Sequence, residues 1–227
     1  MGRDIPLGRI AGVKVGMNVS VLLIAALYAW VLADNNFPIQ VPGLSPTAYW
    51  VAGIAGALFF FVSLLVHEVG HALVAREEGI GVRGISLWLL GGVARLESSP
   101  QTPRAEFRIA VVGPLASAAC GVLLLSVAYV LPDTGLWELA GTACAWLGRL
   151  NLILAAFNLL PAAPLDGGTV LSALIWWRTG SQTAGKLWAA RSGIAVGLGM
   201  VWWGFGELQG DDSGGYGIFI LAVGGFI

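Results

Sequence analysis

The sequence predicts an all-α integral membrane protein of about six transmembrane helices, with a short membrane-associated β-hairpin or re-entrant segment after the second helix. Three observations carry that expectation. Hydrophobic residues make up 57% of the 227-residue chain and charged residues only 11%, a balance unlike that of a soluble domain. Six apolar segments, at approximately 17–33, 49–75, 105–131, 137–160, 184–206 and 216–227, approach the roughly 20 residues that a helix needs to cross a bilayer. Between the second and third, Gly81 to Leu96 scatters Val82, Ile85, Leu87 and Trp88 among glycines, keeps no helical period and falls short of spanning length.

The elements follow in order. Arg3, Arg9 and Lys14 precede the first apolar run, superficially like a signal peptide. No small-residue cleavage site closes that run and further spans follow, so it reads as a retained first helix. Residues 35–46 and 161–168 are punctuated by proline and glycine and read as connections. Thr102-Pro103 supplies a capping threonine and a proline at the first helical position of the third segment. The last segment has only about fifteen uncharged residues after Asp212, fewer than a span needs. It stops at Ile227 without a polar flank, so we expect one transmembrane domain, 1–227, cut just after its membrane part.

Charge sets orientation. With six spans, Arg3, Arg9, Lys14, Arg76, Arg83, Arg95, Arg104, Arg108, Arg178, Lys186 and Arg191 fall on one side, and Asp34, Asp133, Glu138, Glu207, Asp211 and Asp212 on the other. Basic residues mark the cytoplasmic face, so the expectation is a multi-pass protein of the cell membrane with both termini cytoplasmic. Arg149, inside the fourth segment, departs from the pattern and requires either a buried carboxylate or a snorkelling side chain. A net charge of −1 offers no basic field for nucleic acid. Cys120 and Cys144 lack C-x-x-C spacing and read as buried small hydrophobes.

Within the second segment stands His67-Glu68-Val69-Gly70-His71, which holds the chain's only histidines, and no charge occurs between Asp34 and His67. An H-E-x-x-H pattern on a helix puts both imidazoles on one face, where they can share a Zn²⁺ while the glutamate faces the water that the metal activates. The pattern also arises by chance in soluble chains. Here chance would have to carry three ionisable groups into lipid, at several kcal/mol, for no purpose. A hydrolytic metal site within the bilayer is the expected reading.

Such a zinc needs a third protein ligand. Asp166 stands just past the fourth segment, in N-L-L-P-A-A-P-L-D-G-G from Asn158 to Gly168. The histidines lie within about 15 Å of the same membrane face, at 1.5 Å per residue from Arg76. Pro161 and Pro164 break the helix and Gly167-Gly168 permit a sharp turn, so the carboxylate can point inward. The competing reading makes Asp166 a cap for the following helix.

These two motifs, with Leu90-Gly91-Gly92-Val93-Ala94, Glu106-Phe107 and the segment Gly113-Pro114-Leu115-Ala116-Ser117, resemble the site-2 protease family of intramembrane zinc metalloproteases over roughly positions 60 to 170. The resemblance implies one zinc per chain on His67, His71 and Asp166, with Glu68 as catalytic acid/base. It also implies an asparagine beside the metal, matched by Asn158; a helix-to-helix hydrogen bond is the alternative role for that side chain. The chain departs from the family at Ser117, where asparagine is frequent. The interval from His71 to Asp166 leaves no room for a PDZ insertion, which points to the compact branch, whose members often carry a cytoplasmic CBS domain after the last span.

The expected function is hydrolysis of peptide bonds in or near the transmembrane segment of a single-span substrate, such as an anti-sigma factor or a membrane-tethered transcription factor, in regulated intramembrane proteolysis. An edge of the 81–96 strand pair could accept the unwound substrate through main-chain hydrogen bonds; an interfacial loop is the alternative. Two other classes compete: a metal transporter, and a catalytically silent homologue that binds transmembrane partners. Against the first, Glu68 would be an odd addition and no second carboxylate–histidine cluster exists; against the second stand the intact ligand set and Glu68.

Overall fold

The computed structural model describes residues 5–88, 91–208 and 214–226. Arg3, Leu90, Asp211, Asp212 and Ile227, used in the sequence reading, lie outside the described residues. The chain forms two compact units, Met1–Ser99 with Val112–Ala155, and Pro100–Val111 with Ala156–Ile227.

The first unit opens with a sheet. Strands β1 (Ile5–Ile10) and β2 (Val13–Met17) form one hairpin, β3 (Val82–Trp88) and β4 (Gly91–Leu96) a second. The order is β1-β2-β3-β4; both hairpins are antiparallel, and β2 pairs β3 in parallel. A strand pair over 81–96 was expected; strands before the first helix were not. The N-terminal stretch is half of the sheet as well as a charged flank. Its signal is period two: Val13 and Val15 are buried while Lys14 between them is exposed. Ala11 and Gly12 link β1 to β2 with φ of 50° and 81°. A two-residue loop with both φ positive has the twist that hairpins favour. Val13, Val15, Ile85 and Leu87 pack the inner face onto Val21, Leu64 and Ala72.

The first spanning stretch runs Ser20–Gln40 as α1 (Ser20–Trp30), a π-helical turn (Val31–Asn36) and α2 (Phe37–Gln40). The connection expected from residue 35 therefore starts only after Gln40. Pro38 accounts for the π register: its ring would clash with the carbonyl four residues back, and widening the helix relieves that. Helix α3 (Pro46–Glu77) follows, its first turn capped by Ser45 Oγ, which accepts from the Ala48 amide at 3.3 Å. The buried Tyr49 hydroxyl donates to Val41 O at 2.6 Å and accepts from the Leu44 amide at 3.1 Å, fixing the loop before α3.

Helices α4 (Pro103–Val130) and α5 (Gly135–Asn158) complete this unit with residues 112–155. They meet glycine to glycine: a Cβ on Gly121 or on Gly148 would lie 2.9 Å from the other residue's carbonyl oxygen. Likewise a Cβ on Gly53 of α3 would lie 2.7 Å from Ala29 O of α1. Lipid offers helices no hydrophobic drive to associate, so close backbone approach supplies the contact.

The second unit holds the start of α4, the end of α5, and α6 (Asp166–Thr179), α7 (Gln182–Leu208) and α8 (Gly214–Phe226). Thr102 Oγ1 accepts from the Ala105 amide at 3.1 Å, the capping role its sequence position implied. Helices α7 and α8 also pack through glycines, with Gly217 O 3.0 Å from a Cβ position on Gly204.

Among the described residues, four helical stretches are long and apolar enough to cross a membrane: Ser20–Gln40, Pro46–Glu77, Pro103–Val130 and Gly135–Asn158. The expected six are met by four. No more than 33% of the most apolar window of each is buried within the protein, so most of that apolar surface needs lipid to cover it. The chain is a mostly helical, multi-pass membrane protein with a small sheet. Arg149 is exposed on α5, and Cys120 and Cys144 are half-buried free thiols.

Candidate metal centre

Helix α3 brings the motif residues to one face. His67, Glu68 and His71 are buried, at 3%, 7% and 8% exposure, although most of the surface of α3 is apolar. The two Nε2 atoms converge to 3.1 Å and the rings meet edge to face, 73° apart. Nitrogens sharing a tetrahedral zinc at 2.0–2.1 Å stand about 3.3 Å apart, so the pair fits zinc with almost no rearrangement.

The surrounding backbone is cleared of side chains. A Cβ on Gly113 of α4 would lie 2.2 Å from His71 Nε2 and 2.6 Å from His67 Nε2. Only glycine leaves that space for an ion. Pro114, next in α4, has no amide to give to the helix ladder, which loosens α4 where it meets the imidazoles. On the other side, a Cβ on Gly92 would lie 2.3 Å from Glu68 Cγ and 2.8 Å from Glu68 Oε1. Gly92 lies on β4, an edge strand of the sheet. Strand backbone therefore lies directly against the glutamate.

Ser117, one turn beyond Gly113, is fully buried, and its Oγ lies 2.9 Å from His67 Nδ1. Accepting the Nδ1 proton leaves Nε2 with a lone pair for a metal and holds the ring plane, the usual service of a histidine's outer partner. Sequence reasoning noted Ser117 only as a departure from the family's asparagine. The signal that could have found it is the i, i+4 spacing from Gly113 along α4. Clearance is what the motif glycines Gly92 and Gly113 supply.

In the second unit, Asn158 is the last residue of α5 and Asp166 the first of α6, both partly buried. The cap position of α6 falls on Leu165, not on Asp166. Asp166 thus occupies the first helical position, where a carboxylate also meets the positive end of the helix dipole. The two glycines that follow are obligatory. A Cβ on Gly167 would lie 2.2 Å from Leu160 O, and one on Gly168 2.5 Å from Ala163 N.

A buried two-histidine pair with a glutamate between, on a membrane-spanning helix, defines a membrane metalloprotein of the H-E-x-x-H class. Residues 55–142 and 136–202 match Peptidase family M50. Rip3 of Mycobacterium tuberculosis, which carries a zinc metalloprotease name, is 40% identical over 98% of this chain and 56% of its own length. A Synechocystis relative, also named for zinc proteolysis, is 38% identical over 87% of this chain and 51% of its own length. The solved site-2 protease from Methanocaldococcus jannaschii superposes with a TM-score of 0.62 at 26% identity, covering 99% of this chain and 91% of that one. The chain belongs to Peptidase family M50, the site-2 protease family. It spans about half the length of the curated relatives it matches. Zinc is the metal in those relatives' names, and two imidazoles with one carboxylate from His67, His71 and Asp166 are a donor set that suits it.

The Ser117 contact yields a prediction. Ser117→Ala should keep the fold but weaken zinc binding about 10- to 100-fold, measured by competition with a chromogenic chelator. Unchanged affinity would reduce Ser117 to a packing residue.

Proposed function

We propose that this chain is the membrane domain of an intramembrane zinc metalloprotease that cuts single-span, membrane-anchored proteins within or near their transmembrane segments. The observation that carries the reading is the buried pair His67 and His71, cleared by Gly113, with Glu68 beside it. His67, His71 and Asp166 would hold one zinc. Zinc, when bound, supplies Lewis acidity, lowering the pKa of water and polarising a scissile carbonyl.

The chain's own groups do the rest. Glu68 takes a proton from the attacking water as oxygen bonds to the carbonyl carbon, then returns it to the amine as the C–N bond breaks. His67 is held for its task by Ser117. Asn158 would donate a hydrogen bond to the developing oxyanion, a role worth about 10²-fold where such donors have been removed. A helical substrate must unwind before its carbonyls are accessible. Edge strand β4 supports the expectation of strand addition, because it carries open backbone past Glu68 at Gly92. Non-helical backbone at that depth is admissible because protein buries its inner face.

Two finer points complete the reading. Helices α7 and α8 would be the fifth and sixth spans; four crossings or six both return the chain to its starting side. The basic segments then place both termini, and water entry to the site, on the cytoplasmic side. The substrate would be an anti-sigma factor or tethered transcription factor released by regulated proteolysis.

Glu68→Gln should retain zinc and fold while losing cleavage of a co-expressed single-span substrate by at least about 10²-fold. Native-rate cleavage by that variant would end the mechanism. Orientation has its own test, on a background with Cys120 and Cys144 replaced by alanine. A membrane-impermeant thiol reagent should label Asp133→Cys in intact cells and Ser181→Cys only in inverted vesicles; the reverse pattern would invert the topology.

A further inference from the structure

The outer face of the sheet carries a feature that peptide hydrolysis does not use. Inward residues Val13, Val15, Ile85 and Leu87 leave Lys14, Gly16 and Ser86 facing the other way. Cross-strand register then aligns Arg9 with Lys14 and pairs Gly84 with Arg95, and Lys14 O lies 3.1 Å from a Cβ position on Gly84. A bulge between Val82 and Gly84 adds Arg83 to the same neighbourhood. The result is a pocket of about 360 Å³ floored by Gly16 and Gly84, with Lys14, Arg83, Arg95 and Ser86 around it.

Two facts of chemistry select its ligand. The four strands contain four cations, Arg9, Lys14, Arg83 and Arg95, and no carboxylate. Like charges side by side across strands are destabilising, so the aligned pair Arg9 and Lys14, with Arg83 at the same hollow, gains from a bound anion. The second fact is position. Met17 ends β2 three residues before the spanning stretch that begins at Ser20, and β3 begins at Val82, five residues after α3 ends at Glu77. The Arg76 guanidinium, at the end of α3, donates to Ala11 O in the hairpin loop beside the cation row. That end of the sheet therefore sits at the terminus of a span, at headgroup level. Edge strand β1 adds exposed Ile5, Leu7 and Ile10, and the outer face adds Val93, the mixture of cations and apolar side chains that suits a lipid surface.

We propose that this pocket binds the phosphate of an anionic phospholipid headgroup through Lys14, Arg83 and Arg95, with the β1 apolar residues in the acyl boundary. Binding there fixes the depth at which the sheet sits in the leaflet. The proposal does not depend on proteolysis, and its test reads lipid binding alone.

The full chain is reconstituted in nanodiscs of mixed phosphatidylglycerol and phosphatidylcholine, and the retained lipids are weighed by native mass spectrometry. The wild type should retain phosphatidylglycerol selectively. The triple change Lys14→Gln, Arg83→Gln, Arg95→Gln should lower that preference roughly a hundredfold, given the contribution of each cation near an anionic surface. The charge-keeping set Lys14→Arg, Arg83→Lys, Arg95→Lys should retain it, which separates lost charge from lost fold. An unchanged preference in the glutamine variant would overturn the proposal. So would inorganic phosphate or ATP binding the detergent-solubilised wild type as tightly as phosphatidylglycerol, because the source would then be a free phosphate.

Discussion

Three ionisable side chains on one membrane-spanning helix are the constraint that organises this protein. His67, Glu68 and His71 are buried in α3, where each would cost several kcal/mol without partners. Their neighbours answer that cost chemically and sterically. Ser117 fixes the His67 ring, Gly113 lets α4 pass close to both Nε2 atoms with no side chain between, and Gly92 lets strand backbone lie against Glu68. Substituting either glycine would fill the space beside the two imidazoles or beside Glu68.

The sheet extends the same logic to the backbone. Polar main-chain groups within a bilayer must be paired, buried in protein or wetted. Two hairpins joined through a parallel β2–β3 ladder satisfy most of them and leave β4 as one edge. One end of the sheet meets Glu68 and the other, through Ala11, meets Arg76 at the end of α3. The inner face is aliphatic and the outer face cationic, so a single small element joins the site to the membrane surface. Exposed edges are ordinarily a hazard; the proposed strand addition would give this one a use.

Much of this was legible because chemistry with a fixed period writes itself into sequence. Histidines four residues apart state a helix face, and the apolar runs state spans. Proline and glycine around Asp166 state a sharp entry to α6, whose cap position the structure gives to Leu165. The rest was hidden for identifiable reasons. The alternation of Val13, Lys14 and Val15 is too short to outweigh the cationic flank in front of an apolar run, so β1 and β2 were missed. Asn35 and Pro38 read as a loop because they break α-helical register, yet a π-turn carries the helix through them. Ser117 could not be valued from its own position, since its role depends on a ring fifty residues away. Contacts between distant segments leave no local pattern.

The central claim is a zinc held by two imidazoles and one carboxylate, and X-ray absorption at the zinc edge of the purified full chain tests it most directly. The account predicts a first shell of nitrogen and oxygen only, at about 2.0–2.1 Å, with the outer-shell scattering of two imidazoles. It further predicts that Asp166→Ala removes one oxygen from that shell and leaves both imidazoles. A sulfur shell at about 2.3 Å, or a spectrum without imidazole scattering, would contradict it.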